Sequence, residues 1–214
     1  MTAGPTHEPI DAVRYIANRS SGRVGTLLAR EAARRGHAVT LLLGPVACSA
    51  PLEGVVVQRF RTCEDLRALL SAHAHEARVI VMAAAVADFR PSGDRSTLGK
   101  IKRRPGESLT LELESTPDLI AEVASRRRPG QFIVAFALET AGEVLASART
   151  KLDRKRVDLV VGNPLDTMDA QTIEAVVVDR SGIAGQTPGV IGKEAFAAWL
   201  LDLIESRLDR KSVV

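Results

Sequence analysis

Residues 21–43 read SGRVGTLLAREAARRGHAVTLLL and contain both kinds of segment from which the chain is built. Apolar residues recur three and four positions apart in Ser21–Arg35, which predicts an amphipathic helix. These residues are Val24, Leu27, Leu28 and Ala32. Gly36 follows, a residue type suited to the end of a helix. His37–Leu43 is then mostly apolar on both faces, which is typical of a central parallel strand covered by helices.

The same alternation continues along the rest of the chain. Further strands are predicted at Val55–Phe60, Arg78–Ala84, Phe132–Ala137 and Leu159–Val161. Further helices are predicted at Thr62–His73, at Glu143–Arg156, at Lys193–Leu208, and after Thr116-Pro117-Asp118, with Thr116 as N-cap and Pro117 as first residue. Strands that alternate with helices in this way predict an α/β protein, with a Rossmann-like, doubly wound and mostly parallel sheet.

Four segments depart from the alternation. Ser108–Glu114 alternates with a period of two, and Ile173–Asp179 with its continuation to Gly192 resembles a hairpin, so we expect an added β hairpin or edge segment. The first strand is nearly absent, because only Met1-Thr2-Ala3 precedes the first glycine. Arg90–Glu107 is a long loop rich in Pro, Gly, Lys and Arg, and the prediction is a mobile flap over residues 90–107.

Length and composition limit the classes of function. The 214 residues fit one domain over 1–214, and 45% hydrophobic with 26% charged residues is ordinary for a soluble protein. The net charge of +3 with 3% aromatic residues favours anionic small molecules over nucleic acid. No apolar run approaches the roughly 20 residues of a membrane helix, and no secretory signal is visible, so a cytoplasmic protein is expected. Cys48 and Cys63 form no metal or disulfide pattern and are expected to be inert thiols.

Ligands of doubly wound sheets bind beyond the carboxyl ends of the strands, and the first such end is rich in Ser and Gly. Thr2–Thr6 leads into the sequence Asn18-Arg19-Ser20-Ser21-Gly22-Arg23-Val24-Gly25 at the start of a helix. Free backbone N–H groups, serine hydroxyls and the helix dipole there suit a phosphate. A serine N-cap with glycines chosen for helix–sheet packing explains the same residues equally well. The spacing is not G-x-G-x-x-G, which disfavours a nicotinamide dehydrogenase.

The second strand end, Met82–Asp88, combines small residues with one carboxylate. The alanines leave room for a ligand beside the backbone and Asp88 stands at the mouth; alternatively, the alanines pack under a helix and Asp88 closes a turn. The loop that follows carries four positive charges in five residues, Lys100-Ile101-Lys102-Arg103-Arg104. Such a loop suits a triphosphate, although charge runs are often solvated surface.

Three further positions complete the set of candidates. Phe136 at the end of a strand suits stacking on a base or belongs to the core, and Asn163 after the next strand suits a base edge or a turn. Lys151 and Lys155 lie one helical turn apart and point the same way, on the ligand or on the surface. The four histidines have no metal-like or Ser-His-Asp spacing, so hydrolase and metalloenzyme functions have little support.

These short motifs occur together in one order that resembles a known family. They are Thr2-Ala3-Gly4-Pro5-Thr6, Pro9-Ile10-Asp11, Val13–Asn18, Ser20-Ser21-Gly22, Ala83–Asp88, Lys100-Ile101-Lys102, Pro117-Asp118, Phe136 with Glu139-Thr140, and Lys151 with Lys155. The chain resembles the phosphopantothenoylcysteine synthetases from about residue 2 to residue 205. Many bacteria fuse this domain behind a flavin-dependent decarboxylase; no such segment stands in this sequence, so that partner is expected as a separate chain or outside the sequence given.

The resemblance implies a ligase of coenzyme A synthesis. The carboxylate of 4′-phosphopantothenate would attack the α-phosphate of CTP to give an acyl-CMP and pyrophosphate, and the amine of L-cysteine would then displace CMP. Mg²⁺ would bridge the phosphates, with its protein ligands unknown, and a homodimer would share its active sites. ATP use, as in the eukaryotic members, a non-catalytic nucleotide-binding protein of this fold and an NAD(P)-dependent reductase are the alternatives.

The resemblance also assigns roles to residues. Asn18 would hold the acyl-nucleotide and Lys100 would act in forming it. Arg14 would reach the substrate phosphate from the partner subunit, and Ala85 and Asp88 would contact the substrate together with Asn18. The nucleotide-binding residues would be Gly4, Ser20, Gly22, Gly25, Ala83, Ala84, Asp88, Lys100, Thr116, Pro117, Asp118, Leu119, Phe136, Lys151, Lys155 and Asn163. Departures from the family pattern are Thr116 in place of Asn, Arg103 in place of Lys, and the less usual Ala17 and Leu138.

Overall fold

A computed structural model of the chain describes residues 1–46, 52–93, 99–102 and 105–211. The described residues form an eight-stranded sheet, five α-helices and three short two-stranded ribbons. The sheet strands are β1 Thr2–Ala3, β2 Val39–Leu43, β3 Val55–Arg59, β4 Val79–Met82, β5 Phe132–Glu139, β6 Leu159–Pro164, β7 Val176–Asp179 and β8 Gly182–Gln186. The helices are α1 Arg23–Arg34, α2 Cys63–His73, α3 Leu119–Ser125, α4 Val144–Lys155 and α5 Lys193–Lys211.

The strand order β3-β2-β1-β4-β5-β6-β7-β8 confirms the predicted doubly wound sheet. The first six strands in this order are parallel, while β7 pairs antiparallel with both β6 and β8. The antiparallel pair is the predicted hairpin at the edge. The chain reverses its direction of progress between β1 and β4, and this switch point is where open α/β sheets bind their ligands.

The shortest strand lies at the centre of the sheet. Thr2 pairs with Leu42 of β2 on one side and with Met82 of β4 on the other, and Ala3 is fully buried. The Thr2 hydroxyl also accepts a hydrogen bond of 3.0 Å from the amide of Ala84. Two residues therefore suffice for β1, because neighbours on both sides hold them.

Helices cover both faces of the sheet and create two hydrophobic cores. On one face α1 and α5 pack together, with Leu28 and Phe196 both 0% exposed. On the other face α2, α3 and α4 bury Leu66, Leu119 and Leu152 against the sheet. The apolar stripe that the sequence predicts for α1 packs into the first of these cores, because a surface helix buries its apolar face.

Helix starts show one correct and one wrong prediction. Thr62, the first residue of the predicted helix Thr62–His73, is the N-cap of α2, and Asp65 completes a capping box with it. Helix α3 begins at Leu119 instead of Pro117, and its N-cap is Asp118, whose carboxylate accepts a 3.1 Å bond from the amide of Ala121. Thr116 does not cap a helix, because its hydroxyl donates to the carbonyl of Ala87 at 2.6 Å.

The ribbons account for the other irregular segments. Of the predicted alternating strand Ser108–Glu114, only the end is β structure, since Leu113–Ser115 pairs with Phe89–Pro91. A second ribbon joins Glu8–Pro9 to Tyr15–Ile16, and a third joins Thr172–Ile173 to Ile191–Gly192. The predicted strand at 108–114 was therefore too long and began too early.

The two cysteines were predicted to be inert thiols. Cys63 is buried, and burial first of all raises the pKa of its thiol to about 11, as expected of an inert thiol. Cys48 lies outside the described residues. Across the described parts of the chain, none of the helices has the length and apolar character needed to span a bilayer.

Candidate active site

A cleft of about 980 Å³ opens at the carboxyl ends of β1, β4, β5 and β6. Its walls contain most of the residues singled out in the sequence. These lining residues are Asn18, Ser20, Gly22, Ala83, Ala84, Ala85, Asp88, Thr116, Pro117, Asp118, Leu119, Phe136, Lys151, Lys155 and Asn163. Segments far apart in the sequence are thus brought together at the switch point of the sheet.

The first turn of α1 forms the floor beside β1. Gly22 precedes the helix in a left-handed conformation, with φ 67°, and no side chain in the described chain caps the helix. The Ser20 hydroxyl accepts a 3.3 Å bond from the Gly22 amide and so shapes the loop in front of the helix. A helix start that has no side-chain cap and whose first residues line a cleft suits an anion.

Two predicted glycines, Gly4 and Gly25, lie behind this floor and do not line the cleft. A Cβ on Gly25 would stand 2.6 Å from the Cβ of Ala3, and Gly4 has φ 82°. Both placements favour the packing interpretation of these glycines. Their direct role in phosphate binding stays a prediction.

Asn18 connects the loops that follow β1 and β4. Its side-chain amide donates a 2.9 Å bond to the carbonyl of Val86, across the switch point. The side chain is exposed on the cleft wall beside Ala85. This position is where a group bound between the two loops would meet it.

Helix α4 contributes three cations, Lys151, Arg154 and Lys155, to one wall of the cleft. The Lys151 ammonium donates to the carbonyl of Phe136, and burial lowers the pKa of Lys151 against the opposing effect of Glu139 and Asp88. Lys155 is 8% exposed and forms an ion pair with Asp118. Burial likewise lowers the pKa of Lys155, and Asp88 opposes this. The surface interpretation of this lysine pair is therefore wrong for Lys155.

The loop after β6 forms the far wall. Asn163 is 8% exposed, and its amide donates a 2.6 Å bond to the hydroxyl of Thr167. The ammonium of Lys193, the first residue of α5, donates 2.8 Å to the carbonyl of Thr167. Asn163 thus shapes this wall through Thr167.

Six charged residues of the lining were not assigned a role from the sequence, namely Arg19, Arg23, Glu139, Arg154, Asp169 and Lys193. Arg19 and Arg23 stand inside the quoted Ser/Gly motif, so their positions there gave a usable signal. Lys193 gave none, because a charged residue at a helix start is common on a surface. Its burial depends on the contact between α5 and the loop after β6.

Lys100 and Arg14, both predicted to act on the substrate, do not line the cleft. They lie together elsewhere in the chain. The amide of Ile101 donates to Asp11 at 3.1 Å, and the Arg14 guanidinium donates to the carbonyl of Ile101 at 2.7 Å. Asp11 also accepts two 2.8 Å bonds from the amides of Val13 and Arg14, and these contacts hold the pKa of its carboxyl below its usual range.

The base of the lysine loop is therefore clamped to the segment 11–14. Arg103 and Arg104 lie outside the described residues, so the predicted cover over a triphosphate and the mobility of residues 90–107 stay predictions. No functional role was assigned to Asp11 from the sequence. Because Asp11 and Ile101 are 90 residues apart, no local pattern in the sequence indicates the hydrogen bond between them.

The DNA/pantothenate metabolism flavoprotein C-terminal domain family matches residues 1–208. The chain belongs to this family. The match extends from β1 into α5, so it includes every described residue of the cleft. The resemblance to phosphopantothenoylcysteine synthetases drawn from the motifs is confirmed at the level of the domain.

The chain is also similar to individual members of the family. It is 46% identical over 171 residues to the coenzyme A biosynthesis bifunctional protein CoaBC of Mycobacterium tuberculosis, covering 76% of this chain and 40% of that protein. It is 34% identical over 220 residues to the Escherichia coli protein of the same name, covering 99% of this chain and 52% of that protein. The chain therefore spans about half or less of the length of these curated relatives.

The fold agrees with a solved structure of the family. The crystal structure of the C-terminal domain of a coenzyme A biosynthesis bifunctional protein CoaBC superposes with a TM-score of 0.80 and 29% sequence identity. The alignment covers 98% of this chain and 94% of that domain. The family members thus share the α/β architecture on which the cleft is built.

Proposed function

We propose that this chain joins 4′-phosphopantothenate to L-cysteine and uses CTP to activate the carboxylate as an acyl-CMP. The observation that carries this proposal is that fifteen of the residues assigned from the family resemblance line one cleft, at the β1/β4 switch point. Membership in a family that includes coenzyme A biosynthesis bifunctional proteins among this chain's relatives supports the same reaction.

In this proposal the nucleoside lies against the α4 wall. Phe136 is half-buried there, which leaves part of its ring for stacking, and the Asp118–Lys155 pair and Asp88 supply polar groups. The phosphates then extend toward the uncapped first turn of α1 at Gly22. This orientation places the α-phosphate near Asn18 and the backbone of Ala85, between the loops after β1 and β4.

The first step forms one bond and breaks another. A carboxylate oxygen of 4′-phosphopantothenate bonds to the α-phosphorus, and the bond from that phosphorus to its bridging oxygen breaks, which releases pyrophosphate. In the second step the cysteine amine attacks the acyl carbon, loses a proton, and displaces CMP. Enclosure by two loops protects the mixed anhydride from water.

The described residues fit a metal ion that is carried by the nucleotide. They contain no group of three or more His, Cys, Asp or Glu side chains that would hold a metal without other ligands. Mg²⁺ typically binds one or two carboxylates together with substrate phosphates, and Asp88, which is exposed on the cleft wall, is a suitable carboxylate. Mg²⁺ would neutralise phosphate charge when bound.

The remaining assigned residues require movement or a second chain. Lys100 would approach the phosphates from the clamped loop base, where Ile101 is now held by Asp11 and Arg14. Arg14 would act in the cleft of a partner copy, because it does not line the cleft of its own chain. A homodimer with shared sites is part of the proposal for this reason.

The test follows product formation by mass spectrometry. The protein is incubated with 4′-phosphopantothenate, L-cysteine, Mg²⁺ and one of CTP, ATP, GTP or UTP, and the expected result is phosphopantothenoylcysteine with CTP. The Lys100→Gln variant should not form the acyl-nucleotide. The Asn18→Asp variant should still form this intermediate but convert it poorly to phosphopantothenoylcysteine. Absence of product with all four nucleotides would end the proposal, and CTP binding without turnover would indicate a non-catalytic nucleotide-binding protein.

A further inference from the structure

Charge is distributed unequally between the two walls of the cleft. Among the described lining residues, the α4 wall carries three cations and three carboxylates, namely Lys151, Arg154, Lys155, Asp88, Asp118 and Glu139. The opposite wall carries three cations and one carboxylate, namely Arg19, Arg23, Lys193 and Asp169. The excess positive charge of the cleft therefore lies on the wall formed by α1, α5 and the loop after β6.

Lys193 is the buried member of this wall. It is 6% exposed, and its ammonium donates to the main-chain carbonyl of Thr167 at 2.8 Å. Within the described part of the chain, no carboxylate forms an ion pair with it. A buried ammonium with a neutral partner keeps donors and charge for a further ligand.

The neighbours of Lys193 increase this demand for an anion. Burial, and then the positive charge of Arg23, lower the pKa of Lys193, while Asp169 acts in the opposite direction. Asp169 itself is paired with Arg19 at 2.5 Å, so its charge is shared. Arg23 is exposed and is the first residue of α1, beside the helix start that no described side chain caps.

We propose that Lys193 and Arg23 form an anion subsite that binds the pyrophosphate portion of the nucleoside triphosphate. A multiply charged phosphate chain is favoured over a single carboxylate, because two cations and the N–H groups of α1 converge on one wall. The assignment to a nucleotide rests on the proposed function. The affinity for a pyrophosphate-class anion rests on the wall alone.

The subsite has a consequence for the reaction. The nucleoside and α-phosphate lie toward the balanced α4 wall, and the two outer phosphates lie toward Lys193. When the carboxylate displaces the bridging oxygen, the negative charge that develops on pyrophosphate is stabilised by Lys193 and Arg23. Lys193 is then a residue for leaving-group binding, distinct from the lysines that face the nucleoside.

The test compares the binding of CTP, CMP and inorganic pyrophosphate by calorimetry, without 4′-phosphopantothenate or cysteine. Lys193→Met is expected to weaken the binding of CTP and of pyrophosphate by roughly tenfold to a hundredfold, as for loss of a charged hydrogen-bond donor, and to leave CMP within about twofold. Lys151→Met is the control on the other wall and should weaken CTP and CMP by the same factor.

The binding results distinguish failure of the anion subsite from failure of the proposed ligase function. Equal weakening of CTP and CMP by Lys193→Met, or unchanged pyrophosphate binding, would overturn the subsite. If Lys193→Met does not fold, Arg23→Met replaces it, since Arg23 is exposed and the same split between CTP and CMP is expected. If pyrophosphate binds in a Lys193-dependent way while no nucleotide binds, the subsite stands and the proposed ligase function fails.

Discussion

Substitution of Gly25 by alanine tests the contact that brings α1 against the centre of the sheet. Gly25 is a buried residue in the first turn of α1, next to the two-residue strand β1. A Cβ at this position would lie 2.6 Å from the Cβ of Ala3 and 2.9 Å from the carbonyl oxygen of Thr2. Both atoms belong to the central strand, so neither retreats as the end of a flexible side chain would.

The expected cost follows from two opposing contributions. Overpacking of a filled core costs about 1–3 kcal/mol, and the clash with β1 argues for the upper part of that range. Alanine is favoured over glycine inside a helix by about 1 kcal/mol, which offsets part of this cost. A net loss of about 1–2 kcal/mol in the free energy of unfolding is therefore expected for Gly25→Ala.

The assay is urea denaturation, with Gly142→Ala as the matched control. A Cβ on Gly142 meets no described atom within 4 Å, and its φ is outside the left-handed region, so the same chemical change there should be neutral or slightly stabilising. Gly25→Ala should also weaken CTP binding, because α1 must move away from β1 with its first turn. A Gly25→Ala protein as stable as the wild type would refute the reasoning about this contact.

Three further predictions concern the loop clamp, the nucleoside wall and acid stability. Asp11→Asn should release Ile101, so that trypsin cleaves after Lys100 roughly tenfold faster, as measured by mass spectrometry of the fragments. The control is Asp65→Asn, which weakens a helix cap elsewhere and should not change the rate of this cleavage. Lys151→Met should weaken CTP binding roughly tenfold in calorimetry; unchanged affinity would remove the residue from the site. Ion pairs to Arg34 and Arg35 lower the pKa of Glu31 from 4.5 to about 2. Glu31→Gln should therefore lower the free energy of unfolding by its full amount above pH 4.5, where Glu31 is charged in both the folded and the unfolded state. The free energies of unfolding of wild type and variant should converge as the pH falls through about 2. A difference in stability that does not change with pH would contradict this prediction.

Most of the sheet was predictable because burial imposes a pattern on the sequence. Strands covered on both faces, such as Val79–Met82, must be apolar at nearly every position, and helices such as α5 must carry one apolar stripe. The hairpin of β7 and β8 was also predicted, although no residue of β8 is fully buried. The short first strand was noticed as a stub, but its central position depends on pairing with β2 and β4, which no local pattern encodes.

The errors occurred where distant contacts override local preference. Thr116 has the residue type of an N-cap, yet its hydroxyl bonds Ala87 and the cap falls to Asp118. Lys193 gives no local signal in the sequence, because its burial depends on its contact with the loop after β6. Asp11 and Ile101 are 90 residues apart, so their hydrogen bond could not be inferred without the fold.

The most direct test of the account follows oxygen from the substrate carboxylate to the nucleotide. The protein is supplied with CTP, Mg²⁺, L-cysteine and 4′-phosphopantothenate whose carboxylate is labelled with ¹⁸O, and the products are measured by mass spectrometry. Attack of the carboxylate on the α-phosphorus predicts pyrophosphate without label and CMP that carries one ¹⁸O atom per turnover. Unlabelled CMP, or release of CDP with labelled inorganic phosphate, would contradict the reaction proposed for this cleft.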